Sequence, residues 1–137
     1  MIQTSHRLVA PLAVAAAAAG GCAVIWLANP TVPGGILPVC PTKLLLGIDC
    51  PGCGSLRMIY SLLHLDVVAA ARFNALGLVA VLLLLWAYGA WTYGRIAGRQ
   101  VRSWQHLKWS APVALVLTVS WFVVRNLEFG PFVALHV

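Results

Sequence analysis

Two stretches of this chain, Asn74 to Gly94 and Lys108 to Leu127, run for roughly 20 residues with almost no charge. At about 1.5 Å per residue, a helix over either stretch covers the ~30 Å hydrocarbon core of a bilayer. A soluble domain of 137 residues could not hide the apolar surface of a sequence that is 61% hydrophobic and only 9% charged. The chain reads as an all-α membrane protein.

A third run, Leu8 to Ala28, is long enough to span as well. Arg7 followed by alanines resembles a signal peptide, and AGGC before Ala23 resembles a lipoprotein cleavage site that would leave Cys22 lipidated. Signal peptides carry shorter apolar cores of about 7–15 residues, and here AVIWLA continues the run past Cys22, so an uncleaved helix is expected. Cys22 then packs beside Gly20 and Gly21.

The expected architecture is three transmembrane helices (8–28, 74–94 and 108–127) in a single membrane domain, plus one short interfacial or re-entrant helix. Arginine and lysine are retained on the cytoplasmic side of membranes. The loop 95–107 with its flanks carries Arg95, Arg99, Arg102 and Lys108, so that loop and the N-terminus with Arg7 are placed in the cytoplasm. The segment 29–73 and the tail from Glu128 then face outward. The basic loop lacks the aromatic or motif context of a nucleic-acid reader, so membrane lipids, and a larger membrane complex, are the expected partners.

Segment 29–73 is too apolar for an exposed loop and too broken by proline and glycine for a span. After Gly54, SLRMIYSLLHLD supports a helix of roughly 12 residues, too short to cross. At helical spacing, Cys53, Arg57, Ser61 and His64 form one polar stripe. That stripe is either the wet side of an interfacial helix or the wall of a cleft.

Cys40, Cys50 and Cys53 lie together in this segment, and CPGC invites four readings. As a redox pair, Cys50 and Cys53 sit at a helix start, with Arg57 one turn on to favour a thiolate, although no thioredoxin-like alternation surrounds them. As a zinc site the three cysteines lack a fourth ligand. His64 stands 11 residues from Cys53, about 16 Å along a helix. As a structural disulfide, Cys40 pairs with Cys50 or Cys53. As an anion cradle, Gly52, Gly54 and the helix start offer amides, with Arg57, Arg72 and Arg125 as clamps and a lipid-type phosphate as the ligand.

The separated parts Cys40-Pro41, GIDCPGCGSLR, HLDVVAAARFN and the late pair Arg125-Asn126 resemble a domain-of-unknown-function family of small bacterial integral membrane proteins marked by CPGCG-x-x-R. That resemblance implies a helical protein of the bacterial inner membrane and no known reaction. It groups Cys40, Cys50, Cys53, Arg57, His64, Asp66, Arg72, Asn74, Arg125 and Asn126 at motif positions. Two positions depart from the family pattern: Leu65 stands where glycine is typical, and Ala75 where proline is. No full acid, base and nucleophile set is visible, so a binding or accessory protein with an extracytoplasmic Cys/Arg pocket is expected ahead of an enzyme.

Overall fold

The computed structural model describes residues 2–32, 34 and 40–127, with side chains from residue 7 onward. Within these residues all regular structure is helical: α1 (Ile2–Ala28), α2 (Pro41–Leu46), α3 (Ser55–Leu63), α4 (Val67–Ala97), a single 3-10 turn at Trp104–His106, and α5 (Ser110–Arg125).

Two helices are long and apolar enough to cross a membrane: Arg7–Ala28 and Val67–Ala97, each with mean hydropathy 2.2. Only 6% and 11% of their most apolar windows are buried, so their side chains face outward rather than into a protein core. The third expected span is shorter than the sequence suggests. Helix α5 has 16 residues, about 24 Å at helical rise, against a core of about 30 Å. Its expected first residues, Lys108 and Trp109, belong instead to a turn in which the Ser110 amide donates to the Leu107 carbonyl at 3.0 Å.

Helix α4 starts earlier than the second apolar window because Asp66 caps it, accepting from the Ala69 amide at 2.8 Å. The helix is broken at Asn74 (φ −162, ψ 90), whose Oδ1 accepts from the Gly77 amide at 2.8 Å and so caps the second part afresh. Helix α3 is nine residues long and stops at His64 because Leu65 turns left-handed, with φ 61. Glycine takes that conformation without strain and leucine does not. Leu65 holds that backbone with its side chain 88% exposed.

Helices α1 and α4 are tied by the Tyr88 hydroxyl, which donates to the Pro11 carbonyl at 2.9 Å. Trp104 ties the 3-10 turn to α4 through Nε1 and the Leu83 carbonyl, 2.9 Å apart. Much of the deepest burial is polar and lies at the other end of the bundle. Asp49, Asn74 and Arg125 are 3%, 1% and 0% exposed, and with Cys53 and Met58 they form a compact knot around the CPGC turn.

Candidate metal centre

The Cys50-Pro51-Gly52-Cys53 stretch closes as a reverse turn, with the Cys53 amide donating to the Cys50 carbonyl at 3.0 Å. Proline suits the second position of such a turn because its φ is already fixed. The left-handed residue is Gly54 (φ 80), which redirects the chain into α3. A turn must pair the backbone groups it takes out of water, and on the buried side of this one distant side chains do so. Asn126 pairs with Asp49 in both directions, Oδ1 accepting from the amide at 3.0 Å and Nδ2 donating to the carbonyl at 2.9 Å. Asn74 Nδ2 donates to the Pro51 carbonyl at 2.9 Å and to Ser55 Oγ at 3.0 Å. Arg125 Nη1 donates to the Cys53 carbonyl at 2.6 Å.

This clamp turns three thiols toward one point. Cys50 Sγ lies 3.3 Å from Cys40 Sγ and 3.0 Å from Cys53 Sγ, and all three sulfurs fall within 4.8 Å of one another. The three cysteines are therefore close enough to hold a metal ion. A tetrahedral zinc with ~2.3 Å bonds needs sulfurs about 3.8 Å apart, a shift of under 1 Å from these separations. The Cys50 amide also donates to Cys53 Sγ at 3.2 Å, a bond that favours the sulfur as an anion.

The thiols are not equivalent. Cys40, half-exposed, is lowered to about 6 by hydrogen bonds from the Cys50 thiol and the Lys43 amide. Cys53, 6% exposed, is raised to about 12, chiefly by burial and then by the neighbouring thiols. A metal held by all three displaces the Cys53 proton, so its affinity rises with pH.

The remaining expected site residues are placed as follows. Arg125 and Asn74 meet at the Cys53 carbonyl, which Asn74 Nδ2 also approaches at 3.4 Å. Arg57 Nε donates to the Pro30 carbonyl at 3.1 Å, at the exit of α1. His64 stacks on Trp26 with ring centroids 4.2 Å apart, and its Nδ1 lies 2.9 Å from the Tyr60 carbonyl. Arg72 is exposed. Cys22 lies within α1, outside the thiol cluster. Around the expected anion cradle of Gly52, Gly54 and the helix start, the amides of Cys50, Cys53 and Ser55 bond to Cys53 Sγ, the Cys50 carbonyl and the Gly52 carbonyl.

The sequence reading left two supports out of the site. Asp49 pairs with Lys43 at 3.1 Å beside the turn, and Asn126 had only its place in the late Arg-Asn pair to mark it.

Arg125 is the least ordinary member of the knot. Its Nε and Nη2 are buried without a hydrogen-bond partner among the described residues. Its guanidinium lies 5.9 Å from the Trp121 ring centroid. The chain has only three carboxylate side chains, Asp49, Asp66 and Glu128, of which the first two are engaged elsewhere and the third lies outside the described residues.

No curated protein and no solved structure matches the chain. Residues 40–88, which hold all three clustered cysteines, match the model of a family described as "Protein of unknown function (DUF2752)", in agreement with the domain-of-unknown-function family that the CPGCG-x-x-R signature resembles.

Proposed function

We propose that this chain is a small binding or accessory protein of the bacterial inner membrane, in which Cys40, Cys50 and Cys53 together hold one zinc ion that locks the CPGC turn. The reading places the Arg95–Lys108 end in the cytoplasm and the cysteine end outside, with α5 completing the membrane domain beside the two longer helices.

The observation that carries it is the buried, incompletely partnered guanidinium of Arg125 on the Cys53 carbonyl. A buried charge is strongly unfavourable unless something of opposite sign faces it. A disulfide is neutral and leaves that charge as it is. Three thiolates on a divalent ion carry one net negative charge, which Arg125 balances; a monovalent ion would leave an excess. A thiolate-rich site also selects soft or borderline metals over magnesium or calcium.

Arg125→Met tests this directly. Methionine fills much of the same volume, so only the charge and its hydrogen bond are removed. A charge about 6 Å away at an effective dielectric of about 20 is worth about 3 kcal/mol, and partial exposure of Cys40 and Cys50 weakens that. Zinc affinity, measured by competition with a chromophoric chelator, is expected to fall at least about ten-fold. The metal-free variant should be no less stable than metal-free wild type, because burying the guanidinium opposes folding by several kcal/mol while one charged hydrogen bond returns about 1.5–3 kcal/mol. Unchanged zinc affinity would remove the charge-balance basis of the proposal.

One observation favours a second reading, a thiol-disulfide protein. Cys50 sulfur is within 3.3 Å of both neighbours, and closing to the ~2.05 Å of a disulfide needs about 1 Å of movement toward either. In such a protein the Cys40 thiolate would attack Cys50 of a Cys50–Cys53 disulfide, forming a Cys40–Cys50 bond as the Cys50–Cys53 bond breaks and Cys53 leaves as thiolate.

A further inference from the structure

At the end of the bundle opposite the cysteines, α1, the end of α4 and the following loop enclose a cleft of about 580 Å³. Its lining combines Arg7, Arg95 and Arg99 with Ala87, Ala90 and Trp91, which lie on α4 nearer the middle of the helix than Arg95. The cleft exists because the chain folds back over Gly94, where an added Cβ would lie 2.7 Å from the Arg99 carbonyl oxygen. Gly98, left-handed at φ 66, brings the backbone to Arg7, whose Nη1 would lie 3.2 Å from a Cβ there.

The three guanidiniums have no carboxylate among the described residues to neutralise them. Asp49 is with Lys43 and Asp66 caps α4, both at the far end. Arg95 and Arg99 lie over aromatic rings instead, 5.0 Å from the Trp91 centroid and 5.7 Å from the Tyr93 centroid. All three arginines are exposed. A cleft lined by arginines at a helix end and by alanine and tryptophan nearer the middle of the same helix matches the chemistry of a phospholipid: a phosphodiester anion above an acyl chain.

We infer that this cleft is a binding site for one acidic phospholipid, with Arg7, Arg95 and Arg99 on the headgroup phosphate and Trp91 against the upper acyl chain. The site rests on the membrane placement proposed above and is independent of the metal.

The test uses the full chain, purified in a nonionic detergent, stripped of lipid and offered an equimolar mixture of phosphatidylglycerol and phosphatidylcholine, with retained lipid counted by native mass spectrometry. Phosphatidylglycerol should be preferred by about ten-fold, and the preference should shrink as salt rises. The triple variant R7Q/R95Q/R99Q should lose the preference with unchanged helix content and zinc content, while R7K/R95K/R99K should keep most of it.

Equal retention of the two lipids by wild type, salt-independent retention, or a folded glutamine variant with its preference intact overturns the proposal. So does displacement of the lipid by an equal concentration of inorganic phosphate, which would assign the site to the free anion. Wild type alone settles the salt and competition arms should the glutamine variant not fold. A chain that alkaline carbonate washes from membranes fails the membrane placement and this site with it; a carbonate-resistant chain without lipid preference fails this site alone.

Discussion

Cys50→Ser is expected to weaken zinc binding by about 100-fold or more, and Cys40→Ser and Cys53→Ser by similar factors. Structural zinc sites bind with roughly 10–16 kcal/mol over four ligands, so one thiolate accounts for about 3 kcal/mol, or about 100-fold. A serine hydroxyl keeps the shape but supplies neither the soft donor nor the anion at neutral pH. Cys22→Ser, in α1 and outside the cluster, should leave the affinity within about two-fold. Competition with a chelator reads all four variants. The thiol-disulfide reading predicts a different pattern: Cys50→Ser removes both disulfides that Cys50 can form, whereas Cys40→Ser and Cys53→Ser each remove one of them and keep the other.

Asn74→Ala should destabilise the protein by about 3 kcal/mol, since it removes three well-formed hydrogen bonds from a side chain only 1% exposed. Alanine returns nothing to the Pro51 carbonyl or the Gly77 amide, and an orphaned buried backbone group is itself unfavourable by about 1–3 kcal/mol. The neighbourhood cannot collapse to compensate. Gly77 is already so close that a Cβ there would meet Met58 Cε at 3.0 Å and Asn74 Cγ at 3.1 Å. Because the lost bonds hold the CPGC turn against α4, the variant should also bind zinc more weakly. Thermal unfolding of the metal-free and zinc-loaded forms separates the two effects: a variant as stable as wild type in both would mean that Asn74 does not hold the turn.

The long helices were legible because they depend on a property that the sequence carries locally, about 20 residues without charge. The length of α5 was less so. Its apolar window includes Lys108 and Trp109, but the 3-10 turn before them and the Arg125-Asn126 clamp after them set the ends. Likewise the start of α3 follows from Gly54 and Ser55, while its end depends on Leu65 accepting a left-handed backbone, which a propensity argument disfavours.

The site was legible as a group of residues more than as a set of contacts. Spacing alone brings Cys50 and Cys53 into one turn, and Cys40 is only 10 residues away. What fixes the turn comes from afar: Asn126 is 77 residues from Asp49, and Arg125 is 72 from Cys53. No local periodicity announces such a partner. Helical spacing puts Arg57 on one stripe with Cys53, but the helix starts only at Ser55, after a left-handed Gly54, and Arg57 Nε finds the Pro30 carbonyl, a contact created when α1 packs against α3. At the helix start of the expected anion cradle, the Ser55 amide is taken within the turn itself, donating to the Gly52 carbonyl. The arginine-lined cleft lies at the other end, where Arg7 meets residues nearly 90 positions later in the chain.

The most direct measurement is the metal and thiol content of the full chain purified from membranes without added reductant or metal. Plasma emission spectrometry gives zinc per chain, and alkylation followed by mass spectrometry gives the state of each cysteine. The account predicts one zinc per chain, with Cys40, Cys50 and Cys53 unreactive until a chelator removes the ion and reactive afterwards. A chain without metal that carries a Cys40–Cys50 or Cys50–Cys53 disulfide would contradict it, as would zinc that persists when all three cysteines are serine.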